Sequence, residues 1–134
     1  MKKYIFMTIM ALCTMTTLFA QTNEKPQAEI KFEKLVHNFG TFSESSPKVT
    51  CVFEFTNVGQ LPLVINQAIA SCGCTVPEYP KAPIKPGEKG QIKVTYNGAG
   101  KFPGHFKKSI TVRTNGAVEM TRLYVEGTME EAKK

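Results

Sequence analysis

The most chemically distinctive feature of the sequence is a pair of cysteines, Cys72 and Cys74, separated only by Gly73. In an extended segment, side chains two residues apart point to the same side, so the two sulfur atoms can approach each other. Gly73 carries no Cβ, and we expect this to help the chain bend between the cysteines. A third cysteine, Cys51, precedes them in a strand-like run. These three residues are the candidate redox, disulfide or metal-binding site.

Four kinds of chemistry are open to these cysteines. A structural disulfide from Cys51 to Cys72 or Cys74 would close a loop of about twenty residues and stabilise the fold by about 3 kcal/mol in the chain-entropy model. A disulfide between Cys72 and Cys74 would close a small, strained ring that is easily reduced and suited to thiol exchange. Two thiolates suit Cu(I) or Zn(II). Finally, one cysteine could pair with another chain.

Other residue types give little support for an enzyme. All eleven acidic residues are glutamates, which excludes Asp-based calcium loops and Ser-His-Asp triads. The histidines are His37 and His105, and we interpret both as polar surface residues, because nothing brings them beside Cys72. Gly98 and Gly100 are followed by neither a helix nor a Gly-Lys-Ser/Thr phrase, so they do not form a phosphate loop. We therefore predict no catalytic residues and no cofactor.

The first twenty residues have the pattern of an export signal. A basic start at residues 1–3 precedes a mostly apolar stretch, and Ala20 is the small residue expected before the cut. Threonines interrupt the stretch too often for a membrane span, and the mature chain contains no second candidate. We predict a mature protein that begins at Gln21 and works in the periplasm or outside the cell, where disulfides persist.

Removal of this segment changes both the cysteine count and the charge. Cys13 leaves with it, so four cysteines become three and at least one thiol cannot pair within the chain. The net charge falls from +6 to +4, because Lys2 and Lys3 also leave. A charge of +4 over one domain is ordinary, and we interpret Lys107-Lys108 as a solvated face or as protection of an edge strand. We expect no nucleic-acid partner.

The remaining pattern predicts strands rather than helices. Apolar residues alternate with polar ones at a period of two in several runs, among them Cys51, Phe53, Phe55 and Ile92, Val94, Tyr96. Turn residues separate the runs at Asn57-Val58-Gly59-Gln60, at Lys85-Pro86-Gly87-Glu88 and at Asn115-Gly116. About seven short strands, each with one apolar face, predict an all-β, antiparallel two-sheet sandwich, with a small barrel as the alternative.

The expected organisation follows from these boundaries. Residues 1–20 are the predicted signal peptide, 21–27 a flexible leader, 28–128 the sandwich domain and 129–134 a charged tail.

Several phrases together resemble a known bacterial family. They are Phe53-Glu54-Phe55-Thr56-Asn57-Val58-Gly59, Ser71-Cys72-Gly73-Cys74-Thr75 and Ile84-Lys85-Pro86-Gly87-Glu88-Lys89-Gly90. Over residues 39–127 the chain resembles the secreted domain-of-unknown-function family 1573, which is common in Bacteroidetes. The resemblance implies an immunoglobulin-like sandwich akin to Hydin-type and major-sperm-protein domains, which are mostly scaffolding and binding modules. It transfers no catalytic residues, and Cys51 stands where an ordinary apolar strand residue is expected.

Two functional hypotheses follow. The first is an exported, non-enzymatic binding or scaffolding domain that contacts another protein through an exposed sheet edge or through the loop end carrying Cys72 and Cys74. The second is a thiol-active protein that uses the same two cysteines for disulfide exchange or for handling a soft metal such as copper. Neither hypothesis specifies the oligomeric state.

Overall fold

The alternating runs form eight strands in the computed structural model, which describes residues 25–133. The strands are β1 (Ile30–Phe32), β2 (Val36–Ser43), β3 (Lys48–Asn57), β4 (Ile65–Ala70), β5 (Thr75–Glu78), β6 (Lys89–Asn97), β7 (Gly104–Thr114) and β8 (Met120–Glu130). They make two four-stranded sheets with the orders β1-β3-β6-β5 and β2-β8-β7-β4. The described residues contain no helix, and so none that is long and apolar enough to cross a membrane.

The core lies between the two sheets and is built from the predicted alternation. Every second residue of the central strands is buried, because successive side chains of a strand point to opposite faces. The innermost side chains come from β3 and β6 on one side and from β7 and β8 on the other: Phe53, Phe55, Ile92, Val94, Ile110, Val112, Leu123 and Val125. The predicted sandwich is therefore confirmed, and the barrel alternative is wrong.

The first strand of the sequence prediction is two strands in the structure, which raises the number from about seven to eight. Glu33 N donates to Glu54 O of one sheet, and Tyr124 N, in the other sheet, donates to Leu35 O. The chain thus crosses between the sheets just after Phe32, and β2 runs parallel to β8, whereas the other described pairings are antiparallel. Alternation alone cannot show this crossing, because both halves keep the same period.

The ends of the domain differ slightly from the predicted boundaries. β8 continues through Met129 and Glu130, two residues into the segment predicted as a tail, because the Met129 side chain is buried. Gln27, in the predicted leader, accepts a hydrogen bond from Gln60 N. The predicted signal peptide, its cleavage site and Cys13 lie outside the described residues. The turn predicted at Lys85-Pro86-Gly87-Glu88 is present: Gly87 has a φ of +82° and Glu88 N donates to Lys85 O, as in a type II turn.

Candidate functional site

The two neighbouring cysteines lie in the connection from β4 to β5, which we call the cysteine turn (residues 71–74). Its first residue is bonded to one sheet, because Ser71 N donates to Ser109 O of β7 at 2.9 Å. Its last residue is bonded to the other, because Asn97 N of β6 donates to Cys74 O at 2.8 Å. The cysteine turn therefore joins the two sheets and is held by the backbone at both ends.

Within the cysteine turn, a disulfide joins Cys72 and Cys74, whose Cα atoms lie 5.1 Å apart. The Cys74 backbone N–H donates to Cys72 Sγ at 3.1 Å, and Thr75 N donates to Cys72 O at 3.1 Å. Both cysteines are half-buried. Of the pairings considered from the sequence, the structure contains the one within the Cys-Gly-Cys phrase.

Gly73 does not have the role expected from the sequence. Its φ is not positive, and a Cβ built there would meet no other atom within 4 Å in the described part of the chain. The bend between the cysteines therefore does not require a glycine, because an alanine would fit the same backbone in open space.

Cys51 is separate from the disulfide. It lies in the middle of β3, faces the core with 6% of its surface exposed, and forms no disulfide within residues 25–133. Burial raises the pKa of the Cys51 thiol to about 11, and the nearby Lys34 ammonium acts weakly in the opposite direction. Cys51 is the unpaired thiol that the odd cysteine count implies, and its environment makes it a poor nucleophile.

We expect Cys51 to resist alkylation by iodoacetamide in the folded protein at pH 8 and to react once urea unfolds the chain. Because burial raises its pKa, its protonated form stabilises the folded state below about pH 9, and this contribution is lost as the pH rises towards about 11. A Cys51→Ala variant should therefore lose less stability over that range than the wild type. Stoichiometric labelling of the native protein at pH 8 would contradict this expectation.

A groove of about 540 Å³ surrounds the disulfide. Lys48, at the start of β3, and Lys101, after β6, contribute to its lining with Val76 and Asn97, and no acidic residue of the described chain lines it. Next to Lys101 stands Phe102, of which 96% is exposed. We call the surface formed by Lys48, Cys72, Cys74, Val76 and Lys101 the basic groove, and Phe102 follows its last residue directly in the chain.

Sequence reasoning found the cysteines but missed Lys48, Lys101 and Phe102. The first two are ordinary charged residues, and only the sheet order brings them to Cys72 and Cys74. Phe102 did carry a signal. It is an aromatic residue outside any alternating run, placed between Gly100 and Pro103 in a segment rich in turn residues.

The two histidines make their contacts away from the disulfide. His37 Nδ1 lies 2.7 Å from Lys34 Nζ, and burial together with the Lys34 charge lowers the pKa of His37. His105 is largely exposed, with Nε2 4.0 Å from a Glu126 carboxylate oxygen. Across residues 25–133, no group of three or more His, Cys, Asp or Glu side chains is placed to hold a metal ion.

The fold and its family are visible in comparisons with known proteins. A family model described as "Protein of unknown function (DUF1573)" matches residues 30–129, well over half of the chain. The search of curated proteins found no match to the chain.

Among solved structures, the chain is similar to a protein of unknown function from Porphyromonas gingivalis W83, with a TM-score of 0.65 and 15% identity over 75% of this chain. It spans only 46% of that protein's length. It also resembles the ASH / PapD-like domain of human CEP192, with a TM-score of 0.61, 11% identity and coverage of 82% of this chain and 91% of that one.

A further similar structure is the CsuC-CsuE chaperone-tip adhesion subunit pre-assembly complex of Acinetobacter baumannii. The TM-score is 0.50 and the identity 13%, with 78% of this chain and 57% of that chain covered. At these identities the likenesses establish an immunoglobulin-like β-sandwich and nothing about activity.

Proposed function

Because the chain belongs to the family described as "Protein of unknown function (DUF1573)", we propose that it is an exported, non-enzymatic module that binds another protein at the basic groove. The observation that carries this proposal is Phe102, a large aromatic side chain that is almost fully exposed. It contributes almost nothing to the core, whereas buried aromatic residues are among the strongest contributors to protein interfaces.

The sheet edges offer less to an incoming strand than the basic groove does. β1 has three residues and β5 has four, and Pro77 in β5 has no N–H to donate. The pairings of the other two edge strands, β2 and β4, are interrupted by register shifts. Short, proline-containing and irregular edges are features that hinder the pairing of an added strand. We therefore assign binding to the loop end rather than to an edge.

The charge of the basic groove indicates the chemistry of the partner. Lys48 and Lys101 stand on it without an acidic neighbour among the described lining residues. Complementary charge speeds encounter and disfavours wrong partners, while apolar contact supplies much of the affinity. The partner segment that fits is acidic and carries an apolar side chain to cover Phe102.

Two further observations support export and protein binding, one from the sequence and one from a similar structure. The predicted signal peptide supports a place outside the cytoplasm. A chaperone in complex with an adhesion subunit shares the fold, so this sandwich is compatible with protein binding, by analogy only.

We expect Phe102→Ala to weaken partner binding about tenfold or more, because an aromatic side chain that is exposed in the free protein and buried by the partner is a typical hot spot. The stability should change by less than about 0.5 kcal/mol, since the side chain is not packed. The matched control is Val118→Ala, which trims another exposed apolar residue (57%) at the opposite end of β7.

The measurement is crosslinked capture from a periplasmic extract with the wild type and both variants, followed by calorimetry on each protein whose capture depends on Phe102. A partner lost by Phe102→Ala and kept by Val118→Ala, with an acidic contact segment, supports the proposal. If every captured protein binds Phe102→Ala as well as it binds the wild type, the basic groove is not the contact surface.

A second candidate function is thiol–disulfide exchange at the cysteine turn. It is favoured by the bond between Cys72 and Cys74, which lies half-buried in a groove that also holds two lysines. Sulfur atoms joined to each other are not thiolate ligands, so this oxidised form favours exchange over soft-metal capture. Copper handling by the reduced pair stays a prediction.

A further inference from the structure

The two sulfur atoms of the disulfide are not equivalent, and this sets a direction for exchange. Resting on the thiol-exchange function, we propose that an incoming cysteine thiolate of an exported protein attacks Cys74 Sγ and that Cys72 Sγ is the leaving group. The Cys74 N–H donates to Cys72 Sγ at 3.1 Å. A donor held at a sulfur atom stabilises the negative charge that develops on that atom as the S–S bond breaks.

Among residues 25–133, no backbone N–H donates to Cys74 Sγ. Its polar contact is with Thr75 Oγ1, at the longer distance of 3.7 Å, and either atom could be the donor. A lower pKa of the departing thiol makes it leave faster, so attack that expels Cys72 is preferred over attack that expels Cys74.

The donor should stay in place after the bond opens, because three backbone–backbone hydrogen bonds, none of which involves sulfur, hold the cysteine turn. Thr75 N donates to Cys72 O within the turn, Asn97 N donates to Cys74 O, and Ser71 N donates to Ser109 O. Lys48 and Lys101 line the same groove and add positive charge near the released thiolate. The lysines also favour the approach of an anionic thiolate.

The step balances without any further reagent. The attacking sulfur forms a bond to Cys74 Sγ, the electron pair of the Cys72–Cys74 bond passes to Cys72 Sγ, and one disulfide replaces another with no net oxidation. A second thiol of the same partner can then attack the mixed disulfide and release Cys74 as a thiolate. The partner dithiol is thereby oxidised by two electrons, and the cysteine turn is left as a dithiol.

Two measurements test the direction, both in a Cys51→Ala background so that only the cysteine turn reacts. In the first, the folded protein is mixed with reduced glutathione at pH 8 and quenched with N-ethylmaleimide, and the adducts are mapped by mass spectrometry. We expect glutathione on Cys74 and maleimide on Cys72, in at least about tenfold excess over the reverse arrangement.

The second measurement compares Cys74→Ser, which keeps the backbone N–H of residue 74, with Cys72→Ser. The remaining Cys72 thiol should half-titrate at a pH lower by about 1 or more than the remaining Cys74 thiol, as followed by thiolate absorbance, with circular dichroism confirming that both variants fold.

The outcomes distinguish failure of the proposed direction of attack from failure of thiol–disulfide exchange itself. Equal adducts, glutathione mainly on Cys72, or a Cys74 thiol that titrates no higher than Cys72 would overturn the direction while leaving exchange intact. Neither adduct nor reduction of the folded protein under excess glutathione would overturn thiol exchange itself, and the direction with it.

Discussion

Asn57→Leu is expected to lower the free energy of unfolding by about 4 kcal/mol, a large fraction of the stability of a domain of this size. The Asn57 side chain is fully buried at the end of β3. Its Nδ2 donates to Leu61 O at 2.8 Å and to Ile84 O at 2.9 Å. Its Oδ1 accepts from Gly59 N at 3.0 Å and from Glu29 N at 3.3 Å. Leucine fills a similar volume but leaves these four backbone groups without that partner.

Urea unfolding followed by circular dichroism measures this loss. The matched control is Asn66→Leu, because Asn66 is exposed on β4 and its replacement should change stability by less than about 0.5 kcal/mol. Asn57→Asp adds a second test. An ionised carboxylate can still accept from Gly59 N and Glu29 N but cannot donate to Leu61 O and Ile84 O. The free energy of unfolding of this variant should therefore be lower at pH 7 than at pH 4. A loss below about 1 kcal/mol for Asn57→Leu would show that water replaces the missing groups.

Gly59→Ala is expected to cost about 3 kcal/mol, for a steric reason. A Cβ at this position would lie 2.5 Å from Glu29 N and 2.7 Å from Ala28 C, and closer still to Gln27 O. These are backbone atoms of the segment before β1, and hydrogen bonds from Val58 N to Glu29 O and from Gln60 N to Gln27 O hold that segment in place. The methyl group fits only if the two segments separate.

The matched control for this variant is Gly73→Ala in the cysteine turn. A Cβ there meets no described atom within 4 Å, and its φ is not positive, so stability should stay within about 0.5 kcal/mol of the wild type. Thermal unfolding of both variants gives the comparison. If the two alanines cost the same, the close approach at Gly59 does not limit stability.

Asn57 and Gly59 also show how sequence reasoning can find a position and mistake its role. Both residues stand in a predicted turn, where tolerance of positive φ is the usual reason for Asn and Gly. Neither has a positive φ in the structure. Asn57 is present because its one side chain bonds four backbone groups from three segments at the end of the sandwich, and Gly59 because another segment passes against it. Both reasons depend on residues far away in sequence.

Some features of the candidate site could be predicted from the sequence, and others required the fold. The closeness of Cys72 and Cys74 is a local property, since one residue separates them, and the sequence already included their disulfide among the alternatives. The position of Cys51 on a buried strand face also followed from the alternation, but its separation from the other two did not. Lys48 and Lys101 joined the cysteines only through the fold, and the exposure of Phe102 beside Lys101 is likewise a property of the folded chain.

The sequence by itself predicted most of the strands and their buried faces, and from these a two-sheet sandwich as the leading fold. It could do so because an apolar residue at every second position has one favourable placement, with that face away from water. The tertiary structure alone decided the crossing from β1 to β2, the partners of Asn57 and the assembly of the basic groove. Those features depend on which strands lie side by side, and that choice is made by contacts between distant segments that no local period encodes.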